Sequence, residues 1–396
     1  MLTQVLNLIL SRGISGVAQA LALVLLARWS SVEQFAVTAA ATGAIVVVCA
    51  VCDLGMAGYI SKARALGDHP AVRAALAINQ VTAMAGYLLT AAVVLIVLDD
   101  SMRIPIAILA LALFGEKYAD TLLGVPIADG ARTATTISVT GRRIVALALM
   151  FIANGLGIDG VMAYAAGYVG GALFAVVAGR MYIARHTASD GPHADRKIVL
   201  RQGVKYMIPY VAGQLRLMDV AIVGALAGPA VSAAYGAGAR LGQPALLIPG
   251  AIGSVLLPYS ATRDSVFARK AGVRLLWGTV GGIVVVLPAF LIPAWMITGL
   301  LGEEYASSVD VLAWSLLAIV LIGMSSAVAG VLQGRGEESY VVAVGVLSTV
   351  LLLASVAIGA VLGQSVGAAI GLFIGALIRW ATHIVKLLWD RSEHGS

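Results

Sequence analysis

Charged residues are scarce in this sequence. Asp, Glu, Lys and Arg make up 12% of its 396 residues, whereas 60% are hydrophobic and the mean hydropathy is +0.96. Soluble domains contain about 25% charged residues, so a soluble globular protein is excluded and a polytopic membrane protein is predicted. The formal net charge of +6 then indicates basic loops on the cytoplasmic side of a membrane, not a nucleic-acid partner.

Residues that carry catalysis or bind cofactors are also few. The five histidines are scattered, and the two cysteines, Cys49 and Cys52, lie in an apolar run where they are expected to be small helix residues. The sequence contains no G-x-x-x-x-G-K-[ST] phosphate loop, no cluster of metal ligands and no nucleophile motif. We therefore expect neither an enzyme nor a cofactor.

Twelve apolar segments follow one another along the chain, most of them long enough to cross a bilayer as a helix of about 20 residues. Their approximate spans are 4–27, 35–52, 74–98, 104–126, 138–157, 160–181, 206–227, 232–258, 275–300, 309–332, 339–361 and 366–388. The predicted fold class is an all-α polytopic membrane protein with about twelve transmembrane helices.

A twofold repeat organises the twelve segments. Six precede the longest hydrophilic connection, residues 182–205, and six follow it. This parallel repeat predicts two six-helix bundles, residues 1–195 and 196–396, around a central cavity. Within the last segment, Gly367, Gly371 and Gly375 lie four residues apart, which predicts close packing against a neighbouring helix.

The charges in the loops predict the orientation of the chain. Seventeen Lys and Arg residues lie in or beside the loops that follow even-numbered segments, but only Arg28 and Arg103 lie in the other loops. Cytoplasmic loops carry the excess of Lys and Arg, so both termini are expected in the cytoplasm. Arg142 and Arg143 are among the seventeen although they border the fifth segment, and the orientation does not depend on them.

Charged residues inside the segments are candidates for a functional site. A charge at the bilayer centre costs roughly 2.5–3.5 kcal/mol and normally faces a partner or a water-filled cavity. Arg216 and Asp219 lie three residues apart on one predicted helix face, so they either form a buried ion pair or line a cavity for an anionic substrate. The full set at membrane depth is Arg12, Glu116, Lys117, Asp120, Arg216, Asp219, Arg240 and Arg379.

Two alternatives concern members of this set. Glu116, Lys117 and Asp120 are close enough in sequence to form a local ion-pair cluster that only holds the fourth helix in place. Arg379 lies towards the cytoplasmic end of the twelfth segment, where its side chain could extend to the interface, so it is left out of the predicted site.

Several short motifs resemble one family of membrane proteins. They are Ser11–Gly16, Asp53-Leu54-Gly55, Pro209-Tyr210, Asp219–Gly224 and Ala239-Arg240-Leu241. Together they are similar to the Wzx-like polysaccharide flippases of the multidrug/oligosaccharidyl-lipid/polysaccharide (MOP) exporter superfamily. The resemblance implies a bacterial inner-membrane protein that moves a polyprenyl-diphosphate-linked oligosaccharide to the outer leaflet by alternating access. It also implies membrane lipids, a glycan polymerase and glycosyltransferases as partners.

The resemblance and the residue chemistry predict the same site. Arg pairs with phosphate oxygens through two parallel donors and keeps its charge when buried. The predicted substrate-binding residues are Arg12, Arg216, Arg240 and Lys117. The predicted charge-balancing or ion-coupling residues are Asp53, Glu116, Asp120 and Asp219. Two other functions stay open: a cation-coupled exporter of drug-like cations, and a non-transporting scaffold or enzyme of glycan assembly.

Overall fold

The protein is represented by a computed structural model, which describes the backbone of residues 2–186, 194–243 and 265–389. Side chains are described for 13–186, 194–208, 210–243, 269–333 and 335–389. The described residues form α-helices joined by short turns, which confirms the predicted all-α class. In chain order the α-helices are α1 (Leu2–Trp29), α2 (Val32–Cys52), α3 (Met56–Ala65), α4 (His69–Val97), α5 (Asp100–Leu122), α6 (Gly124–Ala128), α7 (Arg132–Gly155), α8 (Gly160–His186), α9 (Arg196–Leu215), α10 (Asp219–Ala227), α11 (Pro229–Leu241), α12 (Ser265–Val286), α13 (Ala294–Leu301), α14 (Ser308–Gly334) and α15 (Glu338–Trp389).

Eight helical stretches in the described part of the chain are long and apolar enough to cross a membrane. The last of them, Glu338–Trp389, contains two predicted segments, so the eight account for nine of the predicted twelve. Of the other three, the first lies in α1, described as an apolar helix over Gly13–Trp29, and the fourth is α5, which carries the charged residues. The eighth begins as α11, but the rest of it, from residue 244, lies outside the described residues.

The long helix α15 is a hairpin. Gly363 and Gln364 have non-helical backbone angles, and Gln364 has a φ of 53°. Beyond this break the glycines pack in antiparallel register on the first arm: a methyl group added at Gly371 would lie 2.1 Å from the carbonyl oxygen of Ser355, and one at Gly375 would lie 2.5 Å from Cα of Leu352. The close packing predicted for the glycines of the last segment is confirmed.

Two compact units make up the chain: Val24–Met218, and Met1–Leu23 together with Asp219–Ser396. We call them the first and the second unit. The first has a buried apolar core around Ile60 and Val72, and the second has one around Val328 and Leu332. The predicted bundles 1–195 and 196–396 rest on the sequence repeat and stay a prediction.

Large apolar side chains cover much of the exterior of both units. Leu89 is 67% exposed, Ile96 78% and Leu291 82%. Exposed apolar surface on this scale is stable against lipid tails and not against water. Together with the apolar helices, it identifies a multi-pass membrane protein.

Candidate functional site

A buried carboxylate at the end of α2 anchors a polar cluster in the first unit. Asp53 is 2% exposed and follows the last residue of α2, where the chain turns sharply into α3. Its Oδ1 accepts hydrogen bonds from Thr121 Oγ1 at 2.7 Å and from Asn79 Nδ2 at 3.1 Å, and its Oδ2 lies 3.5 Å from Lys117 Nζ. The Lys117 ammonium also lies 4.0 Å from the centre of the Tyr210 ring. Side chains of α4 and α5 therefore meet at the carboxylate that follows α2, and α9 joins the cluster through Lys117.

Two further ion pairs join α5 to α7. Arg143 Nη1 lies 2.8 Å from Glu116 Oε1, and Arg142 Nη1 lies 2.7 Å from Asp120 Oδ1. The Arg143 guanidinium also lies 5.4 Å from the centre of the Tyr168 ring on α8, which packs against both α5 and α7. The pair of Glu116 and Arg143 is more enclosed than the other, since the side chain of Asp120 is 43% exposed.

These contacts connect helices and do not stay within one. Asp53, Glu116 and Asp120 each face a cation on another helix, and the three pairs balance in charge. The local cluster considered for α5 is therefore not the arrangement found. Arg142 and Arg143, which were predicted to lie in or beside a loop, lie inside α7. The sequence contains a signal for this role: two adjacent arginines lie near the start of one apolar segment, and the segment before it contains the carboxylates Glu116 and Asp120.

A second carboxylate cluster lies in the second unit. Asp219 is 4% exposed and is the first residue of α10. Its Oδ1 lies 2.6 Å from Arg240 Nη2 and accepts from the backbone N–H of Val220 at 2.8 Å, and its Oδ2 accepts from the Tyr235 hydroxyl at 3.0 Å. Polar groups on α11 thus satisfy a carboxylate on α10.

The other predicted site residues lie as follows. Arg216 is in a short 3-10 helix, Arg216–Met218, that separates α9 from α10, so the single helix predicted over 206–227 is interrupted there. Arg12 lies in α1, and its side chain is outside the described residues. Lys117 lies in the cluster around Asp53 and Arg240 in the cluster around Asp219. Among the described residues, no group of three or more His, Cys, Asp or Glu side chains could hold a metal ion.

Comparison with known proteins gives matches in structure and none in sequence. No protein-family profile matches the chain, and no curated protein sequence matches it. The fold is similar to that of a point mutant of the Vibrio cholerae MATE transporter VcmN, with a TM-score of 0.71, 15% identity and coverage of 99% of this chain and 97% of that one. It is also similar to the lipid II flippase MurJ in an inward closed conformation, with a TM-score of 0.66, 11% identity and coverage of 97% and 90%.

A third similar structure belongs to a MOP superfamily transporter from Pyrococcus furiosus, which is described as having a binding pocket of reverse polarity. The TM-score is 0.63 with 15% identity, and the match covers 97% of this chain and 94% of that one. At these identities the likeness establishes the fold alone. The chain therefore has the fold of MOP-type transporters over nearly its whole length.

Proposed function

We propose that this protein is a MOP-type flippase that moves a polyprenyl-diphosphate-linked oligosaccharide from the inner to the outer leaflet of a bacterial cytoplasmic membrane by alternating access. The fold over the whole chain supports the transporter class, and the motifs quoted above support the Wzx-like assignment. The observation that carries the substrate class is the balance of charge at membrane depth.

That balance is basic. The four deep carboxylates, Asp53, Glu116, Asp120 and Asp219, each have a Lys or Arg partner. Beyond those four cations, the described helices carry Arg216 and Arg379, and Arg12 lies in α1. A transporter of cations would need the opposite excess, because an excess of carboxylates attracts cations and an excess of arginines repels them. The excess favours an anionic substrate, and a diphosphate is the group that Arg binds best.

In this proposal the residues have different roles. The three pairs of the first unit fix the helix arrangement, because separating one of them inside the membrane leaves two uncompensated charges. The diphosphate and the first sugars are bound by Arg12, Arg216 and Arg240. Asp219 orients the Arg240 side chain before the substrate binds. Lys117 contributes positive potential from its pair with Asp53. The polyprenyl tail stays in the lipid, where it needs no binding site.

One observation favours a second candidate, a cation-coupled exporter of drug-like molecules: the similarity to a MATE transporter, at a TM-score of 0.71, is no weaker than that to the lipid II flippase. A transport assay in proteoliposomes separates the two. We expect the protein to move a fluorescent prenyl-diphosphate-linked sugar between leaflets and to leave ethidium, a lipophilic cation, where it is. Gradient-driven ethidium transport without movement of the diphosphate would establish the exporter and refute the flippase.

A further inference from the structure

Arg379 differs from the other deep cations of the second unit. It lies in the second arm of α15, and its side chain is partly buried. Its Nε is enclosed and has no hydrogen-bond partner, and among the described residues no carboxylate pairs with its guanidinium. By contrast, Arg240 in the same unit is bound to Asp219 at 2.6 Å. Arg379 is therefore a partly buried cation for which the described part of the chain supplies no counter-charge.

The neighbours of Arg379 are neutral. One turn along α15 lies His383, which is fully buried; its Nδ1 is 2.8 Å from the Arg379 carbonyl oxygen and 3.4 Å from Ser325 Oγ. Since a carbonyl only accepts, Nδ1 carries a proton, and Nε2 has no partner. The next residue in the chain, Trp380, donates from Nε1 to Thr279 Oγ1 at 3.1 Å. None of these groups supplies a negative charge.

A carboxylate at the start of the first arm of the hairpin is already paired. Glu337, just before α15, lies 3.2 Å from Lys386, which is seven residues beyond Arg379 on the second arm. At 1.5 Å per residue, this pair lies about 10 Å further along the helix than Arg379. Lys386 therefore marks the polar end of the arm, and Arg379 lies a full two turns deeper in the apolar part.

We propose that Arg379 is a binding site for a phosphate oxyanion, which supplies from outside the chain the negative charge that the described residues do not provide. The guanidinium can donate two parallel hydrogen bonds to phosphate oxygens. Two sources share this chemistry, the diphosphate of a lipid-linked substrate and the phosphodiester of a membrane lipid. The depth of Arg379 favours the first, because a lipid headgroup stays at the interface where Lys386 lies. To that extent the inference rests on the proposed function and adds Arg379 to its binding residues.

The test compares four proteins in phosphatidylcholine nanodiscs: the wild type, Arg379→Gln, Arg379→Lys and the control Lys386→Gln, which changes a half-exposed cation on the same arm. Farnesyl diphosphate is the anionic probe and farnesol its uncharged counterpart, both titrated in phosphate-free buffer. We expect the wild type to bind the diphosphate at least tenfold more tightly than farnesol. Arg379→Gln should reduce that difference by clearly more than twofold, since the other proposed binding residues remain. Arg379→Lys should lose less than Arg379→Gln does, and the control should stay within twofold of the wild type.

Thermal stability without ligand is a second measurement, and Arg379→Gln should not lower it although the same variant binds the diphosphate less tightly. Removing an uncompensated enclosed charge should leave Arg379→Gln as stable as the wild type or more stable. A loss of diphosphate binding in that variant is then not explained by misfolding. If Arg379→Gln binds farnesyl diphosphate as tightly as the wild type does, the site is refuted.

Adding phosphatidylglycerol to the nanodiscs separates the two sources. Weaker diphosphate binding in the wild type, with no such change in Arg379→Gln, supports the site and shows that lipid phosphate competes for it. If the wild type binds no farnesyl diphosphate but phosphatidylglycerol stabilises it in an Arg379-dependent way, the site stands and the flippase proposal fails. If the wild type transports the lipid-linked sugar while neither anion distinguishes it from Arg379→Gln, the function stands and the site fails.

Discussion

Lys117 Nζ lies 3.5 Å from Oδ2 of Asp53 in a pair whose side chains are 10% and 1% exposed. The pair joins α5 to the end of α2 and is extended on one side by Thr121 and on the other by the Tyr210 ring. A substrate anion that used Lys117 directly would have to displace Asp53 and leave a buried carboxylate without its cation. The pair is therefore expected to contribute more to the structure than to binding.

A double-mutant cycle tests that expectation. Lys117→Met or Asp53→Asn alone leaves one buried charge unpaired, and such changes typically cost about 3–5 kcal/mol. The double variant removes both charges and should recover most of the loss in thermal stability and in the amount of protein that reaches the membrane. The exposed pair of Arg103 and Asp100 provides the control, since Arg103→Gln should have little effect. A double variant as unstable as the worse single variant would contradict the pairing.

The two arginines of α7 should differ in importance although they are adjacent. Arg143→Gln leaves Glu116 unpaired with a side chain that is 12% exposed, whereas Arg142→Gln leaves Asp120, which is 43% exposed. The less exposed carboxylate suffers more from losing its partner. We therefore expect Arg143→Gln to lower the melting temperature by several degrees more than Arg142→Gln. Equal losses would show that the two pairs are equally enclosed in the protein.

Hydropathy alone located most of the helices, because it reports burial in lipid and needs no knowledge of tertiary contacts. The single helix predicted over 275–300 is wrong, since α12 ends at Val286 and α13 begins at Ala294. The pairing of charges could not be found in that way. The sequence spacing suggested that Asp219 and Arg216 share a helix face, but the 3-10 turn at Arg216 breaks the helix, and Tyr235 and Arg240 bind Asp219 from the next one. Partners that lie on different helices depend on which faces meet, and local periodicity does not determine this.

An ion pair outside the spanning helices gives a pH-dependent prediction. Arg64 Nε on α3 lies 2.7 Å from Oδ1 of Asp129, and the Tyr182 hydroxyl donates to Oδ2 at 3.1 Å. The hydrogen bond from Arg64 is the main cause that lowers the pKa of Asp129 below its ordinary value, and burial opposes it. A lowered carboxyl pKa contributes stability above the ordinary pKa, and this stability is lost as the pH falls through the folded value.

We expect this pair to contribute about 1 kcal/mol at pH 6 and to lose that contribution below about pH 4. Asp129→Asn should therefore be less stable than the wild type at pH 6, and the difference should shrink in acid. Melting temperatures measured from pH 6 to pH 3 in one detergent check this. A difference that grows in acid would reverse the sign and contradict the assignment.

The orientation of the chain is open to a direct test. Loop charges predict that both termini and the connection 182–205 face the cytoplasm. The Ser189→Cys variant, with Cys49 and Cys52 replaced by alanine, should escape a membrane-impermeant maleimide in intact cells and react after permeabilisation. In the same background Asp99→Cys, between α4 and α5, should react in intact cells. The reverse pattern would overturn the orientation.

Asp219 offers the sharpest distinction between a charge partner and a coupling site. Three donors satisfy its carboxylate: Arg240, Tyr235 and the backbone of Val220. If it serves as a charge partner, Asp219→Asn leaves Arg240 without this carboxylate. The double variant with Arg240→Gln should then fold better than either single variant.

If Asp219 instead takes up a proton or sodium ion during transport, the outcome is different. Asp219→Asn should then fold normally and lose gradient-driven transport, and the Arg240→Gln change should not raise its protein level. Tyr235→Phe is the matched control, because it removes one donor and keeps both charges. We expect the charge-partner result, since Arg240 Nη2 lies only 2.6 Å from a carboxylate that is 4% exposed. Membrane protein level and transport, measured for all four variants, decide it: an Asp219→Asn variant that reaches the membrane at the wild-type level but is inactive would make Asp219 the coupling residue.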